Sequence, residues 1–392
     1  MQTVNIDRIN EKKIKFGEVP IKLIKNTYKN VRVKDGYLVD SKGKKTGTKG
    51  DMILKTILDK IFQEGCLDHD PRPVYIDKYK NAKYYKRDHL IITSDGKEIE
   101  VDKNAVVIER ENEIEVRSKA HTLSVNNVGD VIIDLSKGES AMTTLRLIAY
   151  LTAVAEILWI YQLESNDLVE FDELIGNNTW DVDHIIHNWW EQWALRYPNG
   201  EYIKNEKGHP IIGHCYGGTT KKWNMLYHYV IDSIRKNPDG RRNITCTWQY
   251  DDFEKPHGLK PCAFLTEWNV RHGWDGVDYL DMKLTQRSSD FATAGIINMI
   301  QYIALQLMVA RELGLTPGTF TWSPTNVQIY DRHIVQCIEL LNRDPIDAKC
   351  EMKLKESAKK FKTMKKDDIY FEDYPKELIK KKNPQLKYQL GV

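Results

Sequence analysis

Apolar residues recur at helical spacing in residues 51–63 (Met52, Ile53, Ile57, Ile61), and Gly65 ends the run. Residues 75–120 read instead as short strands divided by turns such as Ser94-Asp-Gly96. Residues 122–135 (TLSVNNVGDVIIDL) predict a strand, a turn and a second strand. A long helix is expected over 141–163, with Glu156 alone on a strongly apolar stretch. Its most apolar part, 147–163, is too short and too polar for a membrane span, so a buried helix is the better reading. Further helices are expected at 222–236, 295–313 and 331–341, and a strand at 243–249. Two strands within 263–287 meet through the glycine-containing 271–276, and 320–330 reads as a strand or loop. Residues 1–48 alternate charged and apolar positions and suggest a small β appendage or a loose arm.

Composition narrows the class. The 392 residues are 29% charged and 41% hydrophobic, as in an ordinary globular protein of one to three domains. A net charge of +2 gives no case for a nucleic-acid coat. Lysine gathers in the first fifty residues and in 353–382, where a solvated surface is the simpler account. Six cysteines without a C-x-x-C suit free thiols in a reducing cytoplasm. The N-terminus lacks the apolar core of a signal peptide.

Candidate chemistry centres on Cys262 in GLKPCAF, followed by Gln286-Arg-Ser-Ser-Asp290 and then Asn298. That set offers a nucleophile, an anion clamp and a reader of base edges. Nearby arginine raises the thiolate population, whereas a free cysteine elsewhere is usually a small buried hydrophobe. Glu156 needs a partner or a shifted pKa, as a satisfied structural group or as an acid/base. Asp70-Pro-Arg-Pro73 presents Arg72 on a stiff loop, and Arg241-Arg242 opens a strand. Each is an anion site or a surface feature. His184 and His187 could share a helix face toward a metal, but no third ligand is placed, so no metal is expected. Trp180, Trp189, Trp190 and Trp193 are core residues or walls for a flat ring.

In order along the chain, TLSVNN…TTLR, AEILWIYQ, GHCYG, NPDGRR, LKPC, QRSSD and LKYQLGV resemble the thymidylate synthase superfamily. The resemblance runs from about residue 122 to the C-terminus, with a fainter match at 51–73. It implies an α+β fold: a mixed β-sheet with packed helices, forming a homodimer sheet to sheet. It also implies two units, a basic extension over 1–48 and a catalytic domain over 49–392 with an insertion at about 75–120. Cys262 becomes the nucleophile, with Glu156 and Tyr216 as further catalytic residues. Arg72, Arg287 and Ser288 take the phosphate of deoxyuridylate (dUMP), together with Arg241 and Arg242 from the partner subunit. Gln286, Asn298 and Tyr330 complete the nucleotide site. Asp290, Trp190, Trp193 and the terminal Val392 meet 5,10-methylenetetrahydrofolate, the cosubstrate.

The departures from the synthase pattern set a further expectation. Ala263 replaces a histidine after the cysteine, Glu267 a glutamine, Gln328 a histidine, and ATAGII a leucine-glycine approach to Asn298. Together they resemble bacteriophage deoxyuridylate hydroxymethyltransferases, with Glu267 placing water. The product would then be 5-hydroxymethyl-dUMP for modified phage DNA, made in the host cytoplasm. A divergent synthase making thymidylate (dTMP) and dihydrofolate is the alternative, and a non-catalytic nucleotide- or nucleic-acid-binding relative is a third reading. Other nucleotide-synthesis enzymes are candidate partners, and no membrane is expected.

Overall fold

The computed structural model describes residues 27–68 and 70–391. Val392 and the first part of the N-terminal extension lie outside the described residues.

One seven-stranded sheet organises the chain. Its strands are β1 (Cys66–Leu67), β2 (Thr122–Asn126), β3 (Val131–Asp134), β4 (Asn243–Cys246), β5 (Ala263–His272), β6 (Asp278–Asp290) and β7 (Thr316–Tyr330). The order is β4-β5-β6-β7-β2-β1, with β3 also on β7. All pairs are antiparallel except β6 with β7. Parallel neighbours need a crossover, and a long helix between them supplies it.

Four helices position the site: α1 (Lys49–Glu64), α2 (Tyr150–Tyr161), α3 (Leu168–Ile175) and α4 (Ile296–Leu313), the last being the β6–β7 crossover. α4 with its lead-in, Phe291–Leu313, is the one described helix long and apolar enough to cross a membrane, and it is mostly buried in the protein. It packs against α2 beneath the sheet, where Trp159, Trp268, Trp322 and Phe291 are fully buried. Aromatic side chains of this size contribute much of a core's buried area.

The helix expected over 141–163 starts only at Tyr150. The reason is the buried Asp51. Its carboxylate caps α1 by accepting from Thr48 N, and it also accepts from Thr143 Oγ1 (2.7 Å), Thr144 N (2.6 Å) and Thr144 Oγ1 (2.8 Å). Residues 143–144 are thereby held on the end of α1 rather than in a helix of their own. The helix expected over 222–236 is also broken. Gly217–Trp223 ends at Asn224 in the left-handed region, and a π-helical turn Tyr227–Ile231 precedes Asp232–Lys236.

The stretch expected as an insertion forms two three-stranded sheets, one from Val74–Lys80, Glu113–Lys119 and Val106–Arg110, the other from Lys83–Tyr85, Leu90–Ile92 and Glu98–Glu100. They close over a separate apolar cluster of Ile91, Val101, Ile114 and Val116. Within the stretch 1–48, expected as a small β appendage or a loose arm, residues 33–46 make a small three-stranded sheet.

Candidate active site

Cys262 lies just before β5, where the chain passes from an irregular loop into the sheet. Its N–H donates to Tyr216 Oη (2.9 Å), and Arg287 Nη2 lies 3.5 Å from its Sγ. The guanidinium is itself fixed. Arg287 Nε donates to Pro261 O (2.8 Å), Nη2 donates to Lys260 O (2.7 Å), and the group lies over the Trp248 ring. A cation aimed at a sulfur favours thiolate. Burial outweighs it here: the thiol is pushed up by desolvation, while Arg287 and Tyr216 pull it down.

Tyr216 is held in an uncommon backbone conformation, φ +45° and ψ −110°. Strain of this kind persists where surroundings over-determine it. Here the phenol oxygen accepts from Cys262 and the ring packs edge-on against Trp190 at 5.1 Å. Gly217 must follow, because a Cβ there would stand 1.8 Å from Ser165 O.

Glu156 projects from α2 into the buried interior. Burial raises its carboxyl from 4.5 to about 7, opposed by the side chains of Gln301, Trp190 and Trp189. The Trp190 indole N–H nevertheless lacks a well-formed hydrogen bond. Trp193 packs on Trp190 at 5.5 Å. Trp180 stands apart, among His184, Tyr202 and His209. Trp190 thus lies beside both Glu156 and Tyr216, and Trp189 beside Glu156.

Asn298 sits in the first turn of α4, after a π-helical turn Phe291–Gly295. Gly295 is required there because a Cβ would come 2.3 Å from the Phe291 ring. Trp322 Nε1 donates to Gln286 Oε1 (2.8 Å), Gln286 Nε2 donates to Asn298 Oδ1 (3.0 Å), and Asn298 Nδ2 donates to Gln301 Oε1 (2.9 Å). An indole N–H can only donate, so this relay fixes which end of each amide faces which neighbour. Asn298 keeps one acceptor site and one hydrogen for another partner.

Ser288 Oγ pairs with the Gln328 side chain, and Tyr330 is buried against Tyr75 of the insertion. Asp290 is buried with its carboxyl raised by desolvation, and Thr293 Oγ1 donates to it (2.5 Å). His333 Nδ1 stands 3.8 Å from Asp290 Oδ1, and neither atom has a hydrogen-bond partner among the described residues. Sequence reasoning missed His333; its only signal was a histidine shortly after Tyr330. It also missed Gln301 and Trp322, which read as ordinary core positions.

Three arginines stay outside this cluster. Arg72 is exposed on its loop, and Arg241 and Arg242 are exposed at the entrance to β4; none forms an ion pair among the described residues. Glu267 corrects an expectation. It pairs across the sheet with Ile244 and Lys283, next to the buried Thr266. Thr266 hydrogen-bonds Thr245, which meets Tyr161 of α2, so the neighbouring Glu267 faces away from the helix that carries Glu156. His184 and His187 do not share a helix either, since that turn ends at Asp183 with His184 in the left-handed region. No cluster of three or more metal-ligating side chains occurs among the described residues.

Comparison with known proteins gives this geometry its context. The thymidylate synthase family model matches residues 102–386. Thymidylate synthase of Lactococcus lactis subsp. lactis (strain IL1403) is 37% identical over 263 residues, 67% of this chain and 84% of the relative. That of Streptococcus sanguinis (strain SK36) is 34% identical over 347 residues, 88% of this chain and 100% of the relative. The solved thermostable thymidylate synthase A from Bacillus subtilis superposes with a TM-score of 0.62 at 26% identity, over 88% of this chain and 99% of that one. The T4 phage enzyme shares the fold at a TM-score of 0.54 and 24% identity, over 70% and 92% of the two chains. Relatives at this identity over this length bear the synthase name, which overturns the expectation of a hydroxymethyltransferase. With its mixed sheet, packed helices and matched length, the chain belongs to the thymidylate synthase family of folate-dependent one-carbon transferases.

Proposed function

We propose that this protein converts dUMP and 5,10-methylenetetrahydrofolate into dTMP and dihydrofolate. The observation that carries the reading is Arg287 Nη2 at 3.5 Å from Cys262 Sγ, with the Cys262 N–H held by Tyr216. Pyrimidine C5 is a poor nucleophile until a thiolate adds to C6 and makes C5 enolate-like. Cys262 makes that bond. Arg287 stabilises the thiolate and, with Ser288, meets the 5′-phosphate. Asn298 presents one free acceptor and one free hydrogen, the complement of uracil N3–H and O4. Glu156, with a carboxyl near neutrality, is suited to take the C5 proton at pH 7 and pass it on to solvent, so that C5 keeps only its new carbon.

The folate side fits as well. The unpartnered buried atoms Asp290 Oδ1 and His333 Nδ1, whose ring donates through Nε2 to Gln389 O, offer acceptors to a polar heteroaromatic ring, and Trp190 Nε1 offers a donor. Methylenetetrahydrofolate supplies both the one-carbon unit and the hydride of the synthase reaction. Asp290 would orient it, and Trp190 and Trp193 would wall it from water. The exposed Arg241 and Arg242 lack partners among the described residues, and β4 beside them exposes Ile244. Both features support a symmetric homodimer in which this pair serves the other subunit's phosphate site.

The test is covalent trapping. Incubation with 5-fluoro-deoxyuridylate and methylenetetrahydrofolate should leave one adduct, mapped by mass to the peptide containing Cys262. No adduct, or one on another cysteine, overturns the assignment of the nucleophile.

A further inference from the structure

The insertion at 75–120 takes no part in the chemistry above, yet it reaches the C-terminal segment beside the site. Asp77, on the insertion strand Val74–Lys80, accepts from Gln389 Nε2 at 2.9 Å. The same carboxylate pairs with Arg332 Nη1 at 2.9 and 3.0 Å, and Arg332 Nη1 also donates to Gln389 Oε1 at 2.5 Å. Ser118, on the facing insertion strand, takes Arg332 Nη2 at 2.9 Å. One carboxylate and one guanidinium thus grip both ends of a single tail amide.

That grip bears directly on the site. His333 Nε2 hydrogen-bonds Gln389 O at 2.7 Å while its other nitrogen faces Asp290. A Cβ on Gly391 would come within 2.9 Å of the Tyr330 ring and 3.1 Å of Ala120, so the tail backbone lies on Tyr330. Gln336 Nε2 holds Lys387 O at 3.0 Å. The tail is therefore set between the insertion and the residues assigned to nucleotide and folate.

We propose that Asp77 is a positioning residue: through Gln389 and Arg332 it clips the C-terminal segment against the Asp290–His333 pair, so the insertion governs how firmly the folate side of the site is closed. This rests on the synthase reading for its substrate, though not for its structural content. An open cavity of about 1070 Å³ is lined by these groups, Asp77, Ser118, Arg332 and Gln389 among them. The clip is thus a polar contact at a cleft wall, and Asp77 can be replaced without disturbing a core. Arg332 then keeps Ser118, the Gln389 side-chain Oε1 and solvent.

The experiment compares the full chain with Asp77→Ala, Asp77→Asn, Gln389→Ala and the Asp77→Ala/Gln389→Ala double variant. Asp77→Ala is expected to raise KM for methylenetetrahydrofolate about fivefold, the size of one lost hydrogen bond, and to leave KM for dUMP unchanged. Asp77→Asn, which can still accept from Gln389, recovers most of the loss. The double variant is no worse than either single one. Amide hydrogen exchange at 387–391 should speed up in Asp77→Ala without a fall in melting temperature. Unchanged KM and unchanged exchange overturn the clip, as does an equal rise in both KM values with a lower melting temperature. If the wild-type chain makes no dTMP, the synthase reading fails, and exchange alone then decides the clip.

Discussion

Arg287 Nη2 stands 3.5 Å from Cys262 Sγ, while burial around that sulfur holds the thiol above its ordinary range. The two effects oppose one another, so the free chain keeps Cys262 mostly protonated at neutral pH. Its thiolate appears as pH rises through the elevated pKa, and alkylation by iodoacetamide should accelerate over that interval. Arg287→Gln removes the opposing charge and should shift the alkylation profile to still higher pH. It should also lower kcat/KM for dUMP by about a hundredfold, the scale of one charge-assisted contact to a buried anion. A downward shift of the profile would mean that Arg287 does not act on the sulfur.

Glu156 makes a stability prediction with a definite sign. Its folded-state pKa, about 7, lies above the ordinary 4.5, so the folded chain binds the extra proton between those values. Stability should therefore fall as pH rises from about 4.5 to about 7. The full effect is about 3 kcal/mol if the group ionises without a partner. Glu156→Gln should flatten that dependence, melt higher than wild type at pH 8, and lose about a hundredfold or more in kcat. Urea titrations at pH 5 and pH 8 would check the first part; equal pH slopes in the two chains would contradict it.

The relay Trp322–Gln286–Asn298 predicts how base choice is set. Trp322→Phe removes the donor that orients Gln286 and leaves Gln286 Oε1 without its partner, at a cost of about 1–3 kcal/mol in stability. With the Asn298 amide no longer fixed, KM for dUMP should rise. Asn298→Asp should weaken dUMP use and admit deoxycytidylate, because a mismatched edge leaves buried polar groups unpaired. Competition assays with both nucleotides read the outcome, and unchanged preference in Asn298→Asp would remove it from base reading.

The proposed sharing of sites between subunits makes a prediction about mixtures. A Cys262→Ala chain combined with an Arg241→Ala/Arg242→Ala chain should regain activity at one site per heterodimer. Activity no higher than that of the parents, in a verified heterodimer, would show that the arginine pair serves its own subunit or none.

Much of this was legible because it is periodic or local. The α1 spacing, the strands of β5 and β6, and the ordered series GHCYG, LKPC and QRSSD needed only neighbouring residues. What failed was long-range. Nothing near residue 141 shows that Asp51 will hold Thr143 and Thr144 out of a helix. Glu267 is the most instructive case. It has the same strand parity as Ala263, and strict alternation puts both on one face. The β-bulge at Phe264 breaks that alternation: Ala263 pairs with Gln286, Leu265 pairs with Thr285, and every later residue of β5 changes face. A carboxylate read as part of the site thus faces away from it. His333 was missed because its importance comes from meeting Asp290 and Gln389, contacts made only by the folded chain.

The most direct test of the synthase account is the pair of products from one turnover of dUMP with methylenetetrahydrofolate. The account predicts dTMP and dihydrofolate in equal amounts, seen as a dihydrofolate absorbance rise matched by nucleotide mass, and loss of both in Cys262→Ala. A nucleotide one oxygen heavier than dTMP, formed with tetrahydrofolate and no dihydrofolate, would contradict it.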